Sequence, residues 1–311
     1  MRGLSLPLAA PRGRARHGAL AAASVVLALL AAGVLAQRWL AADADGDGVA
    51  DRADACPGTP PGRVVDARGC CPAARALASA VAALRAADAP AMEIGEAWFL
   101  QQLAAQRPDP DLRALVADTE RRLATHRAAR LLRPDAAPLP LPEDPGHGIA
   151  RLANYINAPA GAPPARAAAF IDDFTAAPAT GYVLTHQLLV LEWARHVGLA
   201  LPPAVAQRRA GLQSRIAAEQ AADARFSDLF AERAAILLAF TTPEPREADR
   251  WMDVIAAAAP ADGRWLSTRS AIAYDGQQAS ASHPWVHTTG FVAAASGFYL
   301  LRRGTSAAPL P

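Results

Sequence analysis

Residues 43 to 54 read Asp-Ala-Asp-Gly-Asp-Gly-Val-Ala-Asp-Arg-Ala-Asp, a spacing suited to a hard cation. Calcium takes about six to eight oxygens, and a loop of about 12 residues supplies them from its first, third, fifth, seventh, ninth and twelfth places, with glycine at the sixth for the turn. Here those places hold Asp43, Asp45, Asp47, the Val49 carbonyl, Asp51 and Asp54, and Gly48 stands at the turn. The last place carries Asp where an EF-hand has Glu, which shortens the reach of that ligand. No helix pair can bracket the loop, because Pro57, Pro60 and Pro61 follow almost at once. The plain alternative is a solvated acidic linker. Carboxylates packed this densely repel one another unless a cation lies between them, so the spacing favours calcium.

A second set of candidates lies far along the chain: His186, Asp228, Glu232, His283 and His287. His186 falls in an apolar helical segment with Tyr182, Leu189 and Trp193, where its imidazole needs a partner. The bland reading is a satisfied core histidine. Asp228 and Glu232 are four apart on one helix face, either a carboxylate pair for acid and base work or a solvated edge beside Arg225 and Arg233. His283 and His287 are also four apart, but Pro284 interrupts them and no zincin pattern follows, so their spacing is poor for a metal. His287 with Thr288 and Thr289 can equally cap the last helix. The chain has no nucleophile elbow, no phosphate-binding glycine loop and no paired Cys motif.

The elements that must position these groups follow from composition. The 311 residues are 52% hydrophobic and 19% charged with a formal net charge of +2, and all 31 basic residues are Arg. Ala fills roughly a quarter of the chain, which favours helix and disfavours a large sheet. A near-neutral charge with interspersed signs leaves no basic field for nucleic acid. Arg2, Arg12, Arg14, Arg16 and His17 precede an uncharged run from Gly18 to Ala36, and Trp39 stands at its far end. Nineteen residues of helix span ~28 Å, close to a hydrocarbon core of ~30 Å. The expectation is a cytoplasmic basic segment 1–17 and a signal anchor 18–39, with residues 43–311 exported to the periplasmic side of the inner membrane. The alternative is secretion after cleavage near Gln37. In that oxidising setting Cys56 pairs with Cys70 or Cys71, closing a loop worth ~3 kcal/mol, and the paired spacing of a zinc ribbon is absent.

From residue 73 the pattern becomes helices punctuated by Pro and Gly, expected over 73–88, 91–106, 110–133, 149–157, 164–176, 180–197, 203–224, 226–241, 245–258 and 286–302. Five prolines between 134 and 145 form a rigid linker over 134–148 that either divides a helical segment 73–133 from an all-α domain 149–303 or is simply a long ordered loop, with a disordered tail 304–311. Segments 180–197 and 226–241 are apolar all round and belong inside; 110–133 and 203–224 are Arg-rich and belong outside. The expected fold is all-α, a helical-hairpin array or partial α/α toroid, preceded by a transmembrane helix and a short irregular calcium-binding stalk.

Two resemblances add to this. Asp43 to Cys71, reading DADGDGVADRADACPGTPPGRVVDARGCC, resembles a bacterial thrombospondin type 3 repeat. The likeness rests on the acidic run, on Cys56, Pro57, Thr59, Pro60 and Gly62, and on the closing Val65, Asp66, Gly69 and Cys70. It implies calcium held by Asp43, Asp45, Asp47, Val49 and Asp54, a second ion at Asp51 and Asp66, and a Cys56–Cys70 disulfide that leaves Cys71 odd. Family members occur in tandem and precede a peptidoglycan-binding domain; this chain has one copy and no such domain. Asp262-Gly263-Arg264-Trp265 and His287-Thr288-Thr289-Gly290 are similar to repeats of α/α-toroid proteins such as terpene cyclases and glycan-active enzymes, although the cyclase acid cluster has no counterpart.

These readings converge on a membrane-anchored exported protein whose calcium-binding stalk presents an all-α domain, a structural or binding module with a protein or cell-envelope glycan as its partner. The alternative is an exported glycan hydrolase or lyase in which His186, Glu232 and His287 meet in a toroid cavity.

Overall fold

The structure is a computed structural model that describes residues 42–304 apart from 58, 60–62, 64, 66–67, 88–91, 108, 128, 145, 147, 158–163 and 267–283, together with isolated positions between 32 and 39. The basic segment 1–17, nearly all of the expected anchor 18–39, Asp66, His283 and the tail beyond 304 therefore lie outside the described residues. No described helix is long and apolar enough to cross a membrane.

The described chain is all-α, with eleven helices and no strand. They are α1 (Pro72–Arg85), α2 (Ile94–Gln106), α3 (Pro110–Arg122), α4 (Ala129–Leu132), α5 (Gly148–Asn157), α6 (Pro164–Ala176), α7 (Gly181–His196), α8 (Pro203–Ala222), α9 (Asp228–Phe240), α10 (Pro245–Ala257) and α11 (Pro284–Gly304). Proline stands in the first turn of α1, α3, α8 and α10, where its missing N–H has no helical partner to lose. Asp109 caps α3 by accepting from the backbone N–H groups of Asp111 and Leu112 (3.0 Å each), and Ser227 caps α9 by accepting from Phe230 N–H (3.0 Å).

The expected helix over 110–133 is broken. It ends at Arg122, passes through a short 3-10 turn at Leu123–Thr125 and an extended His126, then restarts as α4. The break lets Ala129, Leu131 and Leu132 turn inward, and the Leu132 carbonyl accepts from Gln101 on α2 (2.7 Å). Burial of those side chains outweighs the lost helical hydrogen bonds.

Helices alternate between inside and outside from α7 onward. Twelve of the thirteen residues of α9 are buried, against four of twenty in α8 and four of thirteen in α10. The inner helices are α2, α7, α9 and α11, and the apolar-all-round segments expected at the centre are there. One continuous core joins both sides of the Pro-rich stretch, from Cys71 and Leu77 through Trp193 and Leu237 to Phe298 and Leu300. Phe99 is ringed by Phe240, Phe291 and Phe298. α11 closes the domain by packing against α1, α2 and α9. Its glycines permit that approach: a Cβ on Gly290 would stand 2.8 Å from the Glu96 side chain, and one on Gly297 would overlap Leu103.

Candidate functional site

Two polar constellations stand out. The first is the acidic loop ahead of α1. The carboxylate oxygens of Asp43, Asp45 and Asp47 converge within 4.8 Å of one another. Gly46 and Gly48 adopt φ of 73° and 91°, which aims successive N–H groups inward. Asp43 accepts from the N–H groups of Gly46 (2.9 Å), Asp47 (3.2 Å) and Gly48 (2.9 Å), which helps hold its carboxyl below the usual range. Asp47 shifts the other way. Its bond from Val49 N–H pulls it down, but desolvation and the charges of Asp45, Asp54 and Asp43 outweigh that bond and raise it. Asp47 Oδ2 is enclosed and has no hydrogen-bond partner. Asp54 stands beside Asp47, close enough that a side chain on Gly69 would meet both carboxylates. Asp51 closes the loop instead, accepting from Ala44 N–H (2.8 Å).

The loop is fastened at three points. Cys56 and Cys70 form a disulfide with their Cα atoms 5.0 Å apart, and Cys71 is a free, fully buried thiol at the start of α1. Thr59 donates its N–H to Asp45 (2.8 Å) and its hydroxyl to the Gly69 carbonyl (2.7 Å). Arg63 reaches across to the helices, pairing with Asp253 (2.9 Å) and Asp249 (3.4 Å) on α10 and lying over the Tyr299 ring on α11.

The second constellation is at the centre of the helical domain. Glu96 lies in the first turn of α2, Tyr182 and His186 in the first two turns of α7, Asp228 and Glu232 in the first two turns of α9, and His287 in the first turn of α11. The four inner helices thus bring the same, N-terminal end to one point, where the partial positive charge of each helix favours acidic groups. Asp228 is fully satisfied: Tyr182 donates its hydroxyl to Oδ2 (2.6 Å), Thr288 donates to Oδ1 (2.5 Å), and His287 Nδ1 meets Oδ1 at 2.9 Å. His287 Nε2 faces Glu96 Oε1 at 3.8 Å, and His186 Nε2 faces Glu232 Oε1 at 3.8 Å. The oxygens of Asp228 and Glu232 lie within 4.8 Å of each other and of a His287 nitrogen, as do those of Glu93 and Glu96.

Glu232 is completely buried, and no donor meets either oxygen in good hydrogen-bond geometry; the nearby Thr185 hydroxyl, which helps lower its pKa, donates to the Tyr182 carbonyl (2.9 Å). Glu96 Oε1 is enclosed and unpartnered too. Elsewhere the fold pairs its buried charges: Glu192 with Arg195 (3.0 Å) and Arg209, and Arg233 with Glu219 (3.2 Å) and Asp223 (2.7 Å).

Burial pushes the Glu96 carboxyl up to about 8 and the Glu232 carboxyl up to about 7, in each case against the opposing charge of His287. Burial drives His186 down to about 3. For His287 burial also disfavours the charge, but Glu96, Asp228 and Glu232 outweigh it and hold its pKa well above the usual value. Burial would raise Asp228, yet the His287 charge and the bonds from His287, Thr288 and Tyr182 pull it below the carboxylate range.

The candidates weighed separately in the sequence therefore meet: His186, Asp228, Glu232 and His287 share one cluster. Asp228 and Glu232 form a buried pair, and Arg233 turns away to Glu219 and Asp223. Glu96 was missed. A lone acid in the first turn of a helix carrying Trp98, Phe99 and Leu100 was the available signal. A cleft of about 320 Å³ between α1 and α3, lined by Leu84, Arg85, Met92, Leu115, Asp118 and Arg122, contains none of these groups. Comparison with known protein families, curated proteins and solved structures returns no match.

Proposed function

We propose that the chain is a membrane-anchored exported protein in which a calcium-locked, thrombospondin type 3-like stalk presents the all-α domain at a set distance and angle as a binding module. The observation that carries this reading is the convergence of Asp43, Asp45 and Asp47 around an enclosed, unpartnered Asp47 oxygen. The donor set is all oxygen, which suits calcium. Asp43, Asp45, Asp47, the Val49 carbonyl and Asp54 would hold the ion, with Asp51 serving as the clamp on Ala44. Bound calcium supplies positive charge that lets these carboxylates share a small volume. The Cys56–Cys70 bridge and the Arg63 ion pairs then transmit that rigidity to α10 and α11. The membrane address rests on the apolar run 18–36 with its preceding Arg residues.

The helical-hairpin or partial-toroid arrangement belongs to the same reading. It is supported by the alternation of buried and exposed helices from α7 to α11 and by the inner helices presenting one end to a common point. A second reading, an exported enzyme acting on glycan, is favoured by one observation: His186, Glu232 and His287 meet, so an acid and a base could reach one substrate.

Limited proteolysis of the full chain with and without calcium tests the first reading. Chelation is expected to open cleavage between residues 43 and 71, and calcium added back to restore protection and give a calorimetric heat. Unchanged cleavage together with no heat would rule out the calcium-locked stalk.

A further inference from the structure

We infer that the cluster at the centre of the helical domain binds a first-row transition-metal dication through His186, His287, Glu96 and Glu232, with Asp228 as the residue that positions His287. This site is separate from the calcium loop in place and in chemistry. Its donors are two imidazoles and two carboxylates, the mixture that suits zinc, iron or manganese. The all-oxygen loop at 43–54 suits calcium.

Three observations carry the inference beyond a mere gathering of acids. First, Glu232 and Glu96 are wholly buried, yet neither Glu232 oxygen nor Glu96 Oε1 accepts a hydrogen bond, and their imidazole neighbours stand 3.8 Å away, whereas Glu192 and Arg233 make close ion pairs. Leaving such groups unmatched disfavours the fold unless something else meets them. Second, both oxygens face an imidazole nitrogen at 3.8 Å, beyond hydrogen-bond reach. Metal–nitrogen and metal–oxygen bonds run about 2.0–2.2 Å, so two ligands of one ion lie roughly 3–4 Å apart. Third, Asp228 meets His287 at Nδ1, which leaves Nε2 to face Glu96. A carboxylate behind a histidine is the arrangement that fixes the ring and raises the basicity of the ligating nitrogen. Tyr182 and Thr288 hold Asp228 in turn.

Access and charge agree. The His287 side chain is 27% exposed and that of His186 14%, so an ion can enter from the His287 side. Glu93, exposed beside Glu96 and His287, lies at that mouth. Glu96, Glu232 and Asp228 bring three carboxyl groups to the ends of four helices, enough negative charge to outweigh the helix dipoles once a cation holds them ionised. Glu93, Glu96 and His287 form one trio within 4.8 Å and Asp228, Glu232 and His287 another; His287 is common to both and His186 stands 3.8 Å from Glu232, so side-chain rotation about His287 has to draw Glu96, Glu232 and His186 onto one ion.

The test uses the full chain in detergent, stripped with chelator and returned to saturating calcium, then titrated with Co²⁺ alone and with Zn²⁺ alone. About one equivalent of Co²⁺ is expected to bind with visible d–d absorption, displaced by Zn²⁺ and unaffected by excess calcium. A Glu96→Gln/Glu232→Gln double variant should bind Co²⁺ at least about tenfold more weakly, and Asp228→Asn about 10–100-fold more weakly, with unchanged far-UV circular dichroism. An Asp43→Asn/Asp45→Asn variant should lose calcium and keep Co²⁺, so the two sites succeed or fail independently. If the cluster variants do not fold, the wild-type titration decides. No Co²⁺ or Zn²⁺ bound by the folded wild-type chain, or equal Co²⁺ affinity in a folded double variant, overturns the inference.

Discussion

Glu232 offers a sharp test of the central geometry, because the metal-free protein must hold this carboxyl wholly buried in its core with no close hydrogen bond to either oxygen. Its folded pKa is raised from 4.5 to about 7, chiefly by burial. Below about pH 4.5 the group is protonated in both folded and unfolded chains and has no effect on stability. As pH rises the unfolded chain ionises first, and stability falls until the folded carboxyl ionises near pH 7; beyond that the loss is constant. A shift of roughly 2.5 units corresponds to about 3 kcal/mol. The groups that modulate this are His287 on α11, the Thr185 hydroxyl on α7 and Asp228 and Arg233 on α9, with His186 on α7 facing the carboxyl at 3.8 Å, all present on both sides of the comparison. Glu232→Met keeps the volume and removes the charge. In chelator-treated protein at pH 8, the variant should melt higher by about 6–12 °C, since 1 kcal/mol moves the Tm of a domain this size by about 2–4 °C. At pH 4.5 only the packing change remains, under about 1.5 kcal/mol. Differential scanning calorimetry at the two pH values reads both. A lower Tm for Glu232→Met at pH 8 would refute the reasoning, because the carboxylate would then be better matched than its surroundings show.

The other predictions concern the stalk and the helix seam. Replacing Cys56 and Cys70 by Ser removes a bridge across a sequence separation of 14 and should weaken the stalk by about 3 kcal/mol, read as faster cleavage within residues 43–71. Gly69→Ala should lower calcium affinity by roughly an order of magnitude in a calorimetric titration. Gly69 has φ of 73°, and a Cβ there would collide with the Asp54 carboxylate. Gly297→Ala should destabilise the domain by about 1–3 kcal/mol in urea unfolding, because Leu103 is packed where the methyl would go. Gly211→Ala, in α8 with nothing within 4 Å, should stabilise it by about 0.5–1 kcal/mol.

Legibility in the sequence followed the distance between cooperating residues. The expected calcium ligands all fall within twelve places, so spacing alone suggested their convergence, and the structure brings Asp43, Asp45 and Asp47 together. Helices punctuated by Pro and Gly were readable for the same local reason. The break after Arg122 was not, because it is driven by Leu131 and Leu132 docking on α2, a tertiary effect with no local marker. The central cluster was half readable. His186 was a buried histidine on either reading, and Asp228 with Glu232 shared a face under either; whether that face met solvent or His287 depended on the packing of α9 against α11. Glu96 could be found only once the entry points of four helices were known to coincide.

The packing of α11 against α1 and α2 bears on how the chain reaches its native state. The first and last helices of the domain are over two hundred residues apart in the chain, and the seam around Gly290 and Gly297 forms only when the final segment arrives. Until then the faces of α1, α2 and α9 that pack on α11 stay open, and they include much of the core. Contacts of such long sequence separation are slow to form and leave earlier segments prone to aggregation. The α11 seam can form only once residues 284–304 are present, so a variant truncated before residue 284 is expected to expose the faces of α1, α2 and α9 that α11 covers and to be cleaved faster in limited proteolysis.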